Sequence, residues 1–345
     1  MRVLAALRRE ERHTANRTGH YRRPPILRIV ITEEPLPPLA EQVPFPETSV
    51  VAIAPPGTEP GTWAGAPSAV AEDGGIVLAY RLRNPVDQGR GYAIAIARSA
   101  DGVRFETIAM ITKEMMDTES LERPALVRTS DGRWRLYLSC ATWGTKHWRV
   151  EMIEAATPEE FTPDGSKVVL PGGPDRAVKD PVIVIQGATW HLWASVHPLD
   201  DQASTDRMTT DYATSQDGIS WTWHGHALSP RPGEWDARGV RVSAVQFTAG
   251  GVMAYYDGRA SAEENYEERT GLAAGALPGG LAAAGSAPVA EAPGGRGLRY
   301  LDIVDLGNGS QRLYYELTRP DGLHELRTEL RHLGGADLAS DASAA

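Results

Sequence analysis

A pattern that recurs five times constrains the fold of this 345-residue chain more than any single motif. Each copy contains a pair of small or charged residues, a valine, a glycine-containing turn and an apolar, aromatic run. The copies are anchored on Val70, Val127, Val184, Val245 and Val304, with spacings of 57, 57, 61 and 59 residues. A unit of this length is typical of one antiparallel sheet of four short strands.

A second hairpin follows the repeated one in the first and third copies. Ser99–Phe105 and Ser215–Trp221 each contain Asp-Gly, which favours a tight turn between the third and fourth strands of a sheet, and each ends in an aromatic residue. Five such sheets around an axis form a β-propeller, which protects its edges by radial repetition. The sequence therefore predicts an all-β, five-bladed β-propeller.

The domain boundaries follow from composition at the two ends. We predict an N-terminal lead over residues 1–45 that is partly disordered, a propeller over 46–333, and a disordered tail over 334–345. The last repeat has room for only three strands. We therefore expect Ile26–Thr32 or Ser49–Pro55 to supply its fourth strand and to join the ends of the ring.

Composition excludes several classes of protein. The chain has no run of 18 apolar residues and no apolar segment behind its N-terminal arginines, so we expect no membrane partner and a cytoplasmic location. The net charge of −10 argues against nucleic-acid binding. With Cys140 as the single cysteine, we expect no disulfide, no metal site and no cofactor.

The start of each innermost strand is where a propeller opens onto its ligand-binding face. The residue pairs at this phase of the repeat are Gly65-Ala66, Glu122-Arg123, Lys179-Asp180, Val240-Arg241 and Arg299-Tyr300. Charges that converge there are costly unless they pair or meet a ligand. They form either a structural salt-bridge network or a site in which carboxylates act as acid and base and the excess cations hold an anionic group.

Several further residues either contact a ligand or serve only to stabilise the structure. Asp236 and Arg238 lie just before the fourth inner strand, where they could overhang the site or form loop-stabilising ion pairs; Asp257, Arg259, His197 and Trp63 are also candidates. The acidic run around Tyr266, which ends at Glu268, is expected to form a solvated loop.

At this point the chain resembles a known group. The motifs that carry the likeness are Ala66-Pro67, Tyr80-Arg81, Ser99–Phe105, Glu122-Arg123-Pro124-Ala125, Lys179-Asp180, Ser215–Trp221, Trp235-Asp236, Tyr256-Asp257-Gly258-Arg259 and Glu268–Ala274. Their order resembles glycoside hydrolase family 130, the β-mannoside phosphorylases and related hydrolases, and more distantly family 43. The resemblance implies a five-bladed propeller with glycosidase or phosphorylase activity.

The departures from the family patterns concern the chemistry. Family 130 has a proton-donating Asp and a phosphate-contacting Arg where this chain has Arg123 and Ala125. The general base of family 43 corresponds to Ala66, so that carboxylate is absent as well. Asp180 keeps an Asp-Pro motif, and Glu122 stands near the position of the required acid.

The resulting hypothesis is a glycoside hydrolase or phosphorylase-like enzyme that acts on a small saccharide or glycoside with an anionic group. The alternatives are a repurposed enzyme of secondary metabolism (isomerase, cyclase or lyase) and a non-catalytic sugar-binding propeller. The candidate catalytic residues are Glu122, Asp180, Asp236 and Asp257. The candidate substrate-binding residues are Arg123, Lys179, His197, Arg238, Arg241, Arg259 and Trp63.

Overall fold

The computed structural model describes residues 43–307 and 309–333, and the backbone of two short strands at 3–5 and 31–33. The predicted N-terminal lead lies mostly, and the predicted tail entirely, outside these residues. The described chain is all-β, with short 3-10 turns at Pro46–Thr48, Val86–Gln88 and Pro158–Glu160. Among the described residues no helix has the length and apolar character needed to cross a membrane.

The strands form blade-like antiparallel sheets. Strands β1 (Val3–Ala5) and β2 (Ile31–Glu33) pair with each other, and β3 (Val50–Ile53) precedes the repeats. Sheet 1 contains β4 (Trp63–Glu72), β5 (Gly75–Arg83), β6 (Gly91–Ser99) and β7 (Glu106–Thr112). Sheet 2 contains β8 (Leu121–Arg128), β9 (Trp134–Ala141), β10 (Trp148–Ala155) and β11 (Lys167–Leu170).

The remaining sheets repeat this order. Sheet 3 contains β12 (Arg176–Gln186), β13 (Thr189–Pro198), β14 (Thr209–Ser215) and β15 (Thr222–Leu228). Sheet 4 contains β16 (Gly239–Thr248), β17 (Gly251–Arg259), β18 (Arg269–Gly275) and β19 (Leu281–Ala284). Sheet 5 is built from β20 (Leu298–Asp305), β21 (Ser310–Thr318) and β22 (His324–His332), with β3 as its fourth strand.

The two ends of the repeat region meet in sheet 5. Strand β3 lies antiparallel to β22, with Ile53 opposite Leu326. This confirms that the segment Ser49–Pro55 supplies the fourth strand, whereas Ile31–Glu33, which overlaps the other predicted segment, pairs with β1. A single parallel bridge between Trp63 and His324 links sheet 5 to sheet 1. The first strands of the sheets contact one another in cyclic order, from β4 through β8, β12, β16 and β20 back to β4.

Apolar side chains hold neighbouring sheets together. Five buried clusters each combine residues from two consecutive sheets, and one of them joins sheet 5 to sheet 1 through Tyr314 and Leu78. Because both faces of a sheet are covered, its inner strands are apolar on both sides, as in Gly75–Arg83, where nearly every residue is buried. The polar residues that these strands do bury therefore require a specific explanation.

The two predicted Asp-Gly turns are confirmed. They connect β6 to β7 and β14 to β15, with Gly102 and Gly218 at φ values of 72° and 70°. Each turn receives a hydrogen bond from the preceding sheet. The Tyr314 hydroxyl donates to the Gly102 carbonyl at 2.8 Å, and the Tyr137 hydroxyl donates to the Gly218 carbonyl at 2.9 Å.

Candidate functional site

A bulge interrupts the pairing near the start of every first strand. In sheets 1, 3 and 5 it contains a residue other than glycine in the left-handed region, with φ of 51° at Ala66, 53° at Asp180 and 54° at Tyr300. Such backbone is costly and is concentrated at functional sites. The bulge redirects the strand where the repeat carries its charged pairs.

The pairing register corrects the alignment of the fourth repeat. Arg241 lies opposite Asp257 just before the bulge, in the position that Lys179 and Arg299 occupy opposite Ser195 and Glu316. Arg241 thus corresponds to the first member of each charged pair, and the predicted pair Val240-Arg241 is one residue out of phase. The shift arises because Val245 precedes the equivalent of Val184 by one residue; that equivalent is Gln246, which lies opposite Met253.

Buried and partly buried charged groups gather near these bulges, most of them in ion pairs, and we call this set the charged cluster. Its members are Arg81, Arg83, Glu122, Lys179, Asp180, His197, Arg241, Asp257, Arg259, Glu268, Arg299, Glu316 and His324. Burying this many charges is unfavourable unless each is paired or serves a ligand.

Glu316 is the most heavily paired carboxylate of the charged cluster. It accepts hydrogen bonds from Arg299 at 2.7 and 2.9 Å, from Arg81 at 3.1 Å and from the His324 ring at 2.7 Å. Burial raises the pKa of Glu316, but Arg299, Arg81 and His324 together lower it well below its usual value. Both carboxylate oxygens of Glu316 are thus hydrogen-bonded to the protein. Glu316 is the structural hub of the charged cluster, in the sense that it joins Arg81, Arg299 and His324.

Asp180 is paired on one side only. Its Oδ2 atom lies 3.3 Å from Arg241 Nη1 and 3.7 Å from Lys179 Nζ, while Oδ1 is buried and has no hydrogen-bond partner among the described residues. Burial raises the pKa of Asp180, but Lys179 and Arg241 outweigh it and lower the pKa overall. Asp180 is therefore an ionised carboxylate with one oxygen available to a ligand.

His197 offers a second open acceptor. Its Nδ1 lies 3.1 Å from the Thr205 carbonyl, so this nitrogen carries the proton, and Nε2 has a free lone pair and no partner in the described chain. Burial, reinforced by Lys179, lowers the pKa of His197 to about 3. The ring is therefore neutral and suited to accepting a hydrogen bond from a hydroxyl group.

Two cations in the same region are incompletely paired. Arg83 stacks on Trp63 at 3.8 Å and on Tyr266 at 4.4 Å, and its Nε and Nη1 atoms have no acceptor among the described residues. Lys179 lies 4.8 Å from the Trp148 ring, and burial lowers its pKa to about 8. Burial also lowers the pKa of Arg83 to about 10. Both groups would gain by contact with an anion.

Other predicted site residues are paired within the protein. Glu122 forms an ion pair with Arg81, and Arg259 forms one with Glu268. Trp63 is buried between contacts with His324, at 4.1 Å, and Arg83, so its ring presents little surface to a sugar.

Three predicted site residues are not members of the charged cluster. Arg238 lies at the edge of the charged cluster: it binds Asp206 through two hydrogen bonds of 2.7 and 2.8 Å, and Asp206 lies 3.6 Å from Arg259. Asp236 accepts hydrogen bonds from Arg231 and from the Tyr256 hydroxyl, on the face of β17 opposite Asp257. Arg123 enters a central cavity instead of joining the ion pairs of the charged cluster.

Several cluster residues were not recognised from the sequence. Arg81 and Arg83 alternate with apolar residues along a strand that is otherwise buried, and this alternation is the signal that could have found them. Glu268 was expected in a solvated loop, but it is only 1% exposed and binds Arg299 at 2.6 Å. In the residues that the structure covers, no group of three or more His, Cys, Asp or Glu side chains could hold a metal ion.

Comparison of structures identifies the fold. A structure of the GH130 family of mannoside phosphorylases is 18% identical, with a TM-score of 0.56, over 77% of this chain and 83% of that chain. The β-1,2-mannobiose phosphorylase from Listeria innocua is 16% identical, with a TM-score of 0.55, over 77% and 89%. A thermostable family-43 glycoside hydrolase is 12% identical, with a TM-score of 0.59, over 77% and 88%.

The fold is shared with these glycosidases. This confirms the resemblance noted from the motifs, at the level of architecture. No protein-family model and no curated protein sequence matches the chain.

Proposed function

We propose that the five sheets close into a five-bladed β-propeller whose charged cluster is the active site of a glycosidase-like enzyme. The cyclic contacts of the first strands and the pairing of β3 with β22 support the closure. The substrate is a small saccharide or glycoside that carries an anionic group. The observation that carries the proposal is a set of buried, unpartnered atoms in the charged cluster: Asp180 Oδ1, His197 Nε2, and Arg83 Nε and Nη1.

These atoms suit different parts of such a substrate. Arg83 and Lys179 provide positive charge for a carboxylate or phosphate, and His197 Nε2 accepts a hydrogen bond from a ring hydroxyl. Asp180, held ionised beside Arg241, acts as the base. Glu122, the nearest counterpart of the family acid, is the proton donor in a glycosidic reaction.

The test is turnover of a panel of 4-nitrophenyl glycosides, neutral and anionic, with and without inorganic phosphate. We expect the Asp180→Asn and Glu122→Gln variants to lose about a hundredfold to ten-thousandfold in turnover with the fold intact. Asp211→Asn is the matched control, because Asp211 is also buried in sheet 3 but pairs with His226. Full activity in a folded Asp180→Asn variant contradicts the proposal.

One observation favours a second function, another acid–base reaction such as an isomerisation or elimination. Lys179, with its pKa of about 8, exchanges protons near neutral pH, whereas Glu122 is held in an ion pair with Arg81. In that reaction Lys179 and Asp180 share the proton transfers. Turnover that survives in Glu122→Gln but is lost in Lys179→Met, on a substrate without a glycosidic bond, distinguishes this function from the first.

A further inference from the structure

A cavity lies beyond the charged cluster. Its volume is about 310 Å³, and it is lined by the first strands of all five sheets. Most of the lining residues have aliphatic side chains, among them Val70, Leu126, Val184, Ile185 and Ile303, while polar atoms make up slightly more than half of its surface. The volume is that of a small-molecule site.

Arg123 projects a buried cation into this cavity. The residue is only 2% exposed, and its Nη2 atom donates to the Ser243 carbonyl at 2.7 Å. Its Nε and Nη1 atoms have no acceptor among the described residues. Burial lowers the pKa of Arg123, with Asp302 as the strongest opposing charge. A guanidinium with two open donors on the wall of a cavity favours a carboxylate ligand.

Asp302 lines the same cavity and supplies the opposite charge. One of its carboxylate oxygens accepts a hydrogen bond from the Ala69 amide at 2.6 Å. Burial raises the pKa of Asp302, which Arg123 lowers only in part. The two groups form no ion pair within the part of the chain described, so each charge is incompletely compensated. The exposed Arg128, whose side chain is the other charged group on the cavity wall, lies towards the end of β8.

We propose that the central cavity binds a small zwitterion with a branched aliphatic side chain, the chemistry of an aliphatic α-amino acid. Its carboxylate would meet the open donors of Arg123, its ammonium group would meet Asp302, and its side chain would pack on the aliphatic wall. An anion without a positive group would leave the negative charge of Asp302 without a partner. An amine without a negative group would leave the positive charge of Arg123 without one. Only a ligand with both charges relieves both groups.

Isothermal titration calorimetry with L-leucine, 4-methylpentanoate and 3-methylbutylamine tests each charge separately. The two half-ligands keep the aliphatic group and lack the ammonium or the carboxylate. We expect leucine to bind and each half-ligand to bind about tenfold more weakly or worse, the effect of one charge-assisted hydrogen bond. No leucine binding up to about 10 mM, or equal affinity for all three compounds, overturns the proposal.

Variants locate the site. Asp302→Asn keeps an acceptor for the Ala69 amide and should reduce the preference for leucine over 4-methylpentanoate. Arg123→Gln should abolish leucine binding. If Arg123→Gln does not fold, Val184→Phe fills the cavity without removing a charge and should also abolish binding. Leucine binding that survives Val184→Phe, or that is lost in Asp180→Asn, places the ligand outside the cavity and overturns the assignment.

Discussion

Lys179 shows how a single buried charge lowers the stability of this protein. Its ammonium group is buried, with 14% of the side chain exposed, and it has Asp180 as a distant partner at 3.7 Å. Burial lowers its pKa from 10.5 to about 8. In the unfolded chain the same group keeps its proton to higher pH. The folded state therefore binds fewer protons between pH 8 and 10.5, and stability rises with pH through this window.

Lys179→Met should therefore stabilise the protein at pH 7. The expected gain is about 1–3 kcal/mol, because the variant removes a buried charge but also the partner of Asp180. At pH 10.5 the gain should largely disappear, since the wild-type lysine is then neutral. Thermal unfolding at both pH values measures the effect. Lys167→Met, at an exposed lysine, is the control. A Lys179→Met protein that is less stable than wild type at pH 7 contradicts this account.

Gly65 leaves room for the side chain of Glu316, which comes from sheet 5. A Cβ atom at this position would lie 1.9 Å from Glu316 Oε2, and Glu316 is held in place by Arg81, Arg299 and His324. Gly65 thus explains why the first repeat lacks a charged residue where the other four have one.

We expect Gly65→Ala to destabilise the protein by about 1–3 kcal/mol through overpacking. Gly250→Ala is the matched control, because a Cβ there meets no atom within 4 Å and the backbone φ is ordinary. Chemical denaturation of both variants gives the comparison. Equal stability of the two would show that Glu316 can move aside.

The sequence predicted single site residues less well than it predicted elements. Repeat phase correctly indicated that charges gather at strand starts, because pairing phase depends only on local pattern. It could not distinguish the open oxygen of Asp180 from the closed pairing of Glu316. That difference depends on which long side chains from other sheets reach each carboxylate. Nor could the repeat phase show that Asp236 and Asp257 lie on opposite faces of β17. Asp236 binds the hydroxyl of Tyr256, and neighbouring residues of a strand point to opposite faces.

At the scale of elements, each of the two Asp-Gly turns is stabilised both by its own aspartate and by a tyrosine from the neighbouring sheet. Asp101 Oδ1 accepts hydrogen bonds from the Val103 and Arg104 amides, and Asp217 repeats this pattern with Ile219 and Ser220. These bonds explain why Asp-Gly could be recognised in the sequence. The contact between each turn and the tyrosine of the neighbouring sheet could not be predicted in this way, because the two residues are far apart in the sequence.

Tyr137→Phe and Tyr314→Phe should each destabilise the protein by about 0.5–1.5 kcal/mol, since each removes one buried hydrogen bond between sheets. The two turns are far apart in the chain and share no partner, so the double variant should show the sum of the two effects. Urea denaturation of the single and double variants measures this. A fully stable double variant would mean that water replaces both hydroxyl groups.

At the scale of the whole molecule, the repeats predicted an all-β chain of blade-like, four-stranded sheets. Two segments were candidates for the fourth strand of sheet 5. The ambiguity arose because both segments are short and apolar, and strand pairing across nearly the whole chain leaves no local mark. The structure selects Val50–Ile53, which lies along the outer strand of sheet 5.

Breaking this pairing should weaken sheet 5, in which the two ends of the repeat region meet. The double variant Val51→Pro with Ile53→Pro removes two backbone donors from β3, and we expect a loss of about 3 kcal/mol or more. The double variant Val51→Thr with Ile53→Val keeps both amides and is the matched control. Thermal unfolding of the two proteins gives the difference. Similar melting temperatures would show that β3 contributes little to the stability of sheet 5.

The bridge between Trp63 and His324 also joins two parts of the chain that are synthesised far apart in time. Trp63 leaves the ribosome early, whereas Glu316 and His324, which complete its surroundings, are among the last described residues to emerge. Contacts of such long sequence separation form slowly and late. A nascent or C-terminally shortened chain can therefore build its early sheets but lacks the hub of the charged cluster. The complete charged cluster therefore forms only after sheet 5 has been synthesised.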